Sequence, residues 1–115
     1  MITDSDQDLI FQALAHSTRR EILDRLKDQP GQPVGTLASH FDVSRIAVMN
    51  HLAVLEKAGL VTSEKEARSR RLYLNVIPLQ LIYDRWTDTY SSHWAGKLTT
   101  IKYAAERAAQ REEKK

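Results

Sequence analysis

The stretch from Ser44 to Val61 constrains this chain more than any other. Ser44 is a residue type suited to a helix N-cap, because its hydroxyl can accept from an early helical N–H. Val48, Leu52 and Leu55 then recur at steps of three and four, the spacing of one helical face. Gly59 follows, where a left-handed residue commonly ends a helix after Ala58. Directly beyond it the period changes. Leu60 to Glu66 and Arg71 to Val76 read as two strands, with Leu72, Leu74 and Val76 alternating against Tyr73 and Asn75. A helix that stops at a glycine and runs straight into a hairpin must pack on something. At 115 residues the chain has room for one domain to supply it.

Upstream, a first helix is expected near Ser5, with Asp6 and Asp8 suiting its N-terminal dipole and Leu9, Ile10, Ala13 and Leu14 forming a stripe. A second begins around Ser17–Thr18. Thr18 and Glu21 have capping-box spacing, and Ile22, Leu23 and Leu26 give its buried face. Residues 28–33 hold two prolines and a glycine and read as a loop. Val34, Leu37, Ala38 and Phe41 share one face of a short third helix, and Asp42-Val43 makes a tight turn. Downstream, Pro78 suits the first turn of a last helix continuing to about Arg111. The fold class is therefore mainly α with a small β-hairpin wing: a winged helix-turn-helix with an additional helix at each end. It is expected as a single domain over 1–115, with a core at 17–76 and dimerisation helices at 1–15 and 78–111.

In a helix-turn-helix the second helix enters the major groove of DNA. With Val48, Leu52 and Leu55 buried, the face left over carries Arg45, Ile46, Met49, Asn50 and Ala53. Arg45 suits guanine or phosphate, Asn50 suits adenine, and the apolar residues suit thymine methyl groups. A purely solvated helix would not expose Ile46 and Met49 with Arg45 as the one charge in its first twelve residues. Residues 1–76 carry ten Lys/Arg and ten Asp/Glu, yet Arg68, Arg70 and Arg71 crowd into four positions. A neutral body with one basic tip fits contact with phosphate at one place. The expected DNA-binding residues are Ser44, Arg45, Ile46, Met49 and Asn50 on the recognition helix, and Arg68, Arg70 and Arg71 on the wing.

The run Ser44-x-x-Ala47-Val48-x-x-His51-Leu52-x-x-Leu55-x-x-Ala58-Gly59-Leu60-Val61 resembles the signature of the arsenical-repressor (ArsR) family of winged-helix regulators. Ser17-Thr18-Arg19-Arg20-x-Ile22-Leu23 is similar to its second helix, Val34-Gly35-Thr36-Leu37-Ala38 to its third, and Glu66-Ala67-Arg68 to Leu72-Tyr73 to its wing. The resemblance covers residues 8–76. It implies a homodimer that represses transcription from a palindromic operator and is modulated by some signal. The chain departs from the family's metal sensors. It has no cysteine, and after Asp88 and His93 no second histidine completes the family's other metal site. Its aromatic-rich last helix, with Trp86, Tyr90 and Trp94, resembles a non-metal-sensing subgroup, which implies no cofactor. Ala67 stands where the family's wing usually has glycine.

Other chemistries find less support. His16, His40, His51 and His93 lie on different elements without the paired spacing that a metal site needs. His51 reads as structural, bonding to backbone or phosphate. Asp84 and Asp88, or Ser44 with His51, lack the orienting base and oxyanion hole of a nucleophilic centre, and no phosphate-binding glycine loop is present, so no enzyme is expected. A winged helix used only for protein–protein contact is the alternative, opposed by Arg45, Asn50 and the arginine cluster. The apolar runs are too short for a membrane span and the acidic N-terminus is unlike a secretory signal, so a cytoplasmic location is expected.

The last helix carries Leu79, Ile82, Tyr83, Trp86, Tyr90, Trp94, Leu98, Ile101 and Ala105 in one stripe. Its simplest cover is a second copy across a two-fold axis. The expected dimer residues are Leu9, Ile10 and Ala13 from the first helix, with Ile82, Trp86, Tyr90, Trp94, Leu98 and Ile101 from the last. Folding back on the same chain, or lining a pocket for a small-molecule effector, are the alternatives for the stripe.

Overall fold

Helix α1 (Asp4–Leu14) starts one residue before Ser5, where it was expected, because Thr3 supplies the cap. In the computed structural model, which describes residues 2–87 and 102–109, Thr3 Oγ1 accepts from the Asp6 N–H at 3.1 Å. The Asp6 carboxylate accepts from the Thr3 N–H at 3.0 Å. This reciprocal capping box, led by the Thr3 N–H, holds the Asp6 carboxyl below the usual carboxylate range.

Helix α2 (Ser17–Asp28) is capped differently from expectation. His16, extended at φ −130° and ψ 128°, is the N-cap, and its Nδ1 accepts from the Thr18 N–H at 3.1 Å. Thr18 is already helical and cannot act as a cap, so Glu21 pairs instead with Arg25 one turn on, at 3.2 Å. Ala15 and His16 alone separate the two helices, and the arginines of α2 close the junction. Arg19 donates to the carbonyls of Ala13 and Gln12, both at 2.9 Å, and Arg20 to that of Leu14 at 2.7 Å. Carbonyls at the end of α1 are thus met by side chains of the next helix, the Gln12 carbonyl accepting from the Ala15 N–H as well.

This junction seats α1 in the core, whereas residues 1–15 were expected as a dimerisation helix. Ile10 and Ala13 are 1% and 0% exposed, sealed into the chain's own core, so they have no surface to offer a partner. Leu9 is half-buried against the same core.

The expected loop at 28–33 contains strand β1 (Gln32–Pro33). It pairs antiparallel with β3, Gln32 opposite Leu72 and Pro33 opposite Arg71. A strand of two residues has no alternation to detect, and the edge position tolerates the proline. The buried Gln32 donates through Nε2 to the carbonyls of Arg25 and Gln29, closing the end of α2.

Helix α3 (Val34–Ala38) leads to α4 (Arg45–Lys57), whose N-cap is Ser44 as expected, Oγ accepting from the Ala47 N–H at 3.1 Å. Val48, Leu52 and Leu55 face the core. Gly59 takes φ +78°, and the Leu60 N–H returns to the Leu55 carbonyl at 3.0 Å.

Strands β2 (Val61–Glu66) and β3 (Ser69–Leu74) complete a sheet of order β1–β3–β2. Glu66 pairs with Ser69, so the turn is only Ala67-Arg68. Arg70 and Arg71, expected on or beside the tip, belong to β3. Val76 lies past the strand and is exposed.

Helix α5 (Ile77–Thr87) has Pro78 in its first turn. Residues 102–109 are also helical. The rest of the expected last helix lies outside the described residues.

The chain divides into two compact units, Met1–Ile82 and Tyr83–Lys115. In the first, Ile10, Ile22, Leu26, Leu37, Val48, Leu55, Leu60 and Leu72 form the fully buried centre. Leu79 and Ile82 pack against it, so Ile82 is partly covered by its own chain rather than wholly free for a dimer seam. The architecture is mainly helical with a small antiparallel sheet: a winged helix-turn-helix.

Candidate nucleic-acid interface

The interface is built from α4 and the hairpin behind it. Because Val48, Leu52 and Leu55 are buried, helical geometry turns Arg45, Met49, Asn50 and Ala53 outward, and all four are exposed. Ile46 is 72% exposed and Met49 44%. Leaving such surface in water costs on the order of 25 cal/mol per Å² relative to burial. Polar Asn50 and charged Arg45 stand beside these apolar groups, the mixture that reads base edges. Ser44 at the N-terminus is exposed, its Oγ bonded to its own helix.

The three wing arginines are not equivalent. In the β2–β3 register, Val61, Ser63 and Lys65 share a face with Leu74, Leu72 and Arg70. That face buries Val61 and Leu72, so Arg70 is directed back toward α4. There its guanidinium pairs with the Glu56 carboxylate and donates to Ser63 Oγ at 3.2 Å. Arg71 lies on the other face, opposite Glu64. It donates to the Gly31 carbonyl at 3.2 Å, and its Nε forms an ion pair with Glu66 at 3.2 Å, at an angle that does not make a hydrogen bond. Arg68 sits on the turn, exposed, with no ion pair among the described residues. Arg45 and Met49 of α4 and Arg68 and Arg70 of the wing line one groove.

The sequence reading missed Glu56 and Glu66 as partners of these arginines. Counting back two residues from the buried Leu72 puts Arg70 on the helix-facing side of the strand, so that signal was available.

His51 lies on the inner edge of α4. Its Nδ1 is 3.3 Å from Arg19 Nη1, and its ring is centred 4.6 Å from that of His16. Arginine can only donate, so this nitrogen is the acceptor. Burial first, and then the neighbouring His16 and Arg19, hold the His51 imidazole below its ordinary value. It joins α4 to the α1–α2 junction, where a bond to backbone or phosphate had been expected. Among the described residues no group of three or more His, Cys, Asp or Glu is placed to hold a metal ion.

Residues 14–64 match a family model described as a helix-turn-helix domain. An HTH-type transcriptional regulator of Bacillus subtilis is 39% identical over 89 residues, 72% of this chain and 97% of the relative. The transcriptional repressor SdpR of the same organism is 32% identical over 71 residues, 62% of this chain and 78% of the relative. An ArsR-like transcriptional regulator from Rhodococcus has a solved structure that superposes with a TM-score of 0.67 at 33% identity. That likeness covers 90% of this chain and 93% of the other.

The chain belongs to the ArsR family. It is a DNA-binding transcriptional regulator with a winged helix-turn-helix, in which α3 and α4 form the helix-turn-helix and β2–β3 the wing. One departure from the ArsR pattern now has a geometry. Ala67, where glycine is usual, takes φ +54° at the first position of the two-residue turn, the left-handed region that glycine enters without a Cβ penalty. The turn keeps the shape that glycine would give it, at some cost in strain.

The remaining dimer candidates divide by location. Trp86 is exposed on α5, with the Arg85 guanidinium 5.4 Å from its ring centre. Tyr90, Trp94, Leu98 and Ile101 lie outside the described residues. No described helix is long and apolar enough to cross a membrane.

Proposed function

We propose that this ArsR-family chain is a cytoplasmic, homodimeric repressor rather than an enzyme, and that it occupies a palindromic operator. The observation that carries the reading is the outward face of α4, where Ile46, Met49 and Asn50 stand exposed beside Arg45. In this reading α4 enters the major groove and its side chains meet base edges. Ser44 and Arg68 contact phosphate on either side, while Arg70 stays engaged with Glu56 of α4 and Arg71 with Glu66 and the Gly31 carbonyl. Repression is favoured by the likeness to SdpR, named a transcriptional repressor. The dimer is supported by the exposed Tyr83 and Trp86 on α5, aromatic types enriched at such contacts. The proposal includes no metal or other cofactor and names no small-molecule effector.

Protection of the DNA flanking its own coding region, together with a reporter fused to any protected site, tests the whole proposal. The expected result is a protected palindrome with half-sites about one helical turn apart, two chains bound per site and lower reporter output. Absence of any protected site would point instead to a protein–protein module. A rise in output would make the chain an activator.

A further inference from the structure

The one carboxylate directed at the wing from α4 is Glu56, on the same helix that presents Arg45, Met49 and Asn50. It holds Arg70, which with Arg45 and Arg68 lines the groove between α4 and the wing. The pair is only partly buried, the side chains being 45% and 32% exposed for Arg70 and Glu56. A guanidinium in that setting binds phosphate as readily as carboxylate, since both accept its forked donors. Arg70 is thus a phosphate-competent cation kept occupied by a neighbour on the reading helix.

We infer that Glu56 is a specificity-determining residue: by keeping Arg70 latched to α4, it withholds one cation per chain from the DNA backbone and so limits sequence-blind binding. The inference rests on the DNA-binding reading above. Phosphate contacts add affinity for every sequence equally, whereas base contacts discriminate. A regulator whose wing offered both Arg68 and Arg70 to phosphate would hold non-cognate DNA more tightly, with nothing gained in preference. Ser63 contributes by accepting a second bond from Arg70, which keeps the guanidinium turned toward the helix.

The test is a cycle of Glu56→Gln, Arg70→Gln and the double variant, each full-length and checked for native helicity by circular dichroism. Binding to a cognate and a scrambled duplex is measured across a salt series. Glu56→Gln frees Arg70. It should tighten binding to the scrambled duplex and steepen the dependence of log affinity on log salt by about two for a dimer, since each added phosphate contact contributes about 0.9. Between 50 and 200 mM salt that is roughly a tenfold greater loss of affinity than in the wild type. Arg70→Gln alone should leave the slope unchanged.

The double variant separates the latch from simple removal of a negative charge near DNA. If Glu56 acts through Arg70, then Glu56→Gln has no effect on the slope in the Arg70→Gln background. If the slope steepens equally in both backgrounds, or if Arg70→Gln alone flattens it, the latch is overturned while the DNA-binding reading stands. If the wild-type chain binds neither duplex, that reading itself has failed.

Discussion

Two arginine pairs, Arg19-Arg20 and Arg70-Arg71, look alike in the sequence and are used in opposite ways. The first pair donates to main-chain carbonyls at the end of α1, over distances of 2.7 to 2.9 Å. The second pair meets carboxylates, Arg70 with Glu56 and Arg71 with Glu66, on a wing that water reaches, and Arg71 adds a single bond to the Gly31 carbonyl. The part-buried Ala13 carbonyl accepts from Arg19, so losing that donor leaves it unsatisfied, whereas the Gln12 carbonyl keeps the Ala15 N–H. A carboxylate at the surface is solvated either way, so losing its arginine costs little. The first pair therefore belongs to the architecture and the second is adjustable. Function that depends on contact with phosphate can be tuned in the second place and not in the first.

The largest expected effect comes from breaking the first pair. Arg19→Ala removes two bonds to carbonyls and the partner of His51, and should destabilise the chain by about 3 kcal/mol in urea unfolding. A loss no larger than that of a surface ion pair would mean that the carbonyls find water without difficulty.

A smaller effect at the same junction depends on pH. His51 takes up a proton less readily in the folded chain than in the unfolded one. As the pH falls through about 6.5, the unfolded chain is protonated first. The contribution is therefore whole above that pH, is lost on descending through it, and levels off below the folded value. The neighbouring Arg19 places positive charge on the same side. His51→Asn keeps an acceptor for Arg19 and cannot titrate, so it should flatten the fall in melting temperature between pH 7 and 5. An identical fall in both proteins would remove His51 from the account.

On the wing, Ala67→Gly relieves the left-handed strain at φ +54°. It should stabilise by roughly 0.5–1 kcal/mol despite the added freedom of the unfolded chain. Destabilisation would show that the turn does not need glycine's conformation.

A comparably small effect is expected at Arg71. Its ion pair with Glu66 is exposed and its bond to the Gly31 carbonyl is a single one of 3.2 Å, so Arg71→Ala should cost about 1 kcal/mol. A loss as large as that at Arg19 would dissolve the contrast between the two pairs.

Much of the fold was legible because strong periodicity and cap chemistry agree at the same residues. Ser44, Leu52, Leu55 and Gly59 start, bury and stop α4 as their spacing says, and Leu72 marks the inward face of β3. What escaped was contact between distant positions. His16 displaced Thr18 as the cap of α2 because only backbone conformation separates the two. Gln32-Pro33 became a strand because β3 lies beside it, which no local pattern announces. Ile10 and Ala13 were expected at a dimer seam, yet Arg19 and Arg20 draw α1 into the core. The exposed face of α4 could be read from a single helical period. The wing could be read only in part, since Glu56 and Arg70 lie on different elements and their meeting depends on how the hairpin folds over α4.

The central claim is that α4 reads bases while the wing holds the backbone. Its most direct test is the affinity of Asn50→Ala for a cognate duplex and for a scrambled one, measured side by side at one salt concentration. The cognate affinity should fall by roughly 1–3 kcal/mol while the scrambled one stays as it was. An equal fall on both duplexes would make Asn50 a sequence-blind contact and contradict the assignment of α4 as the reading helix.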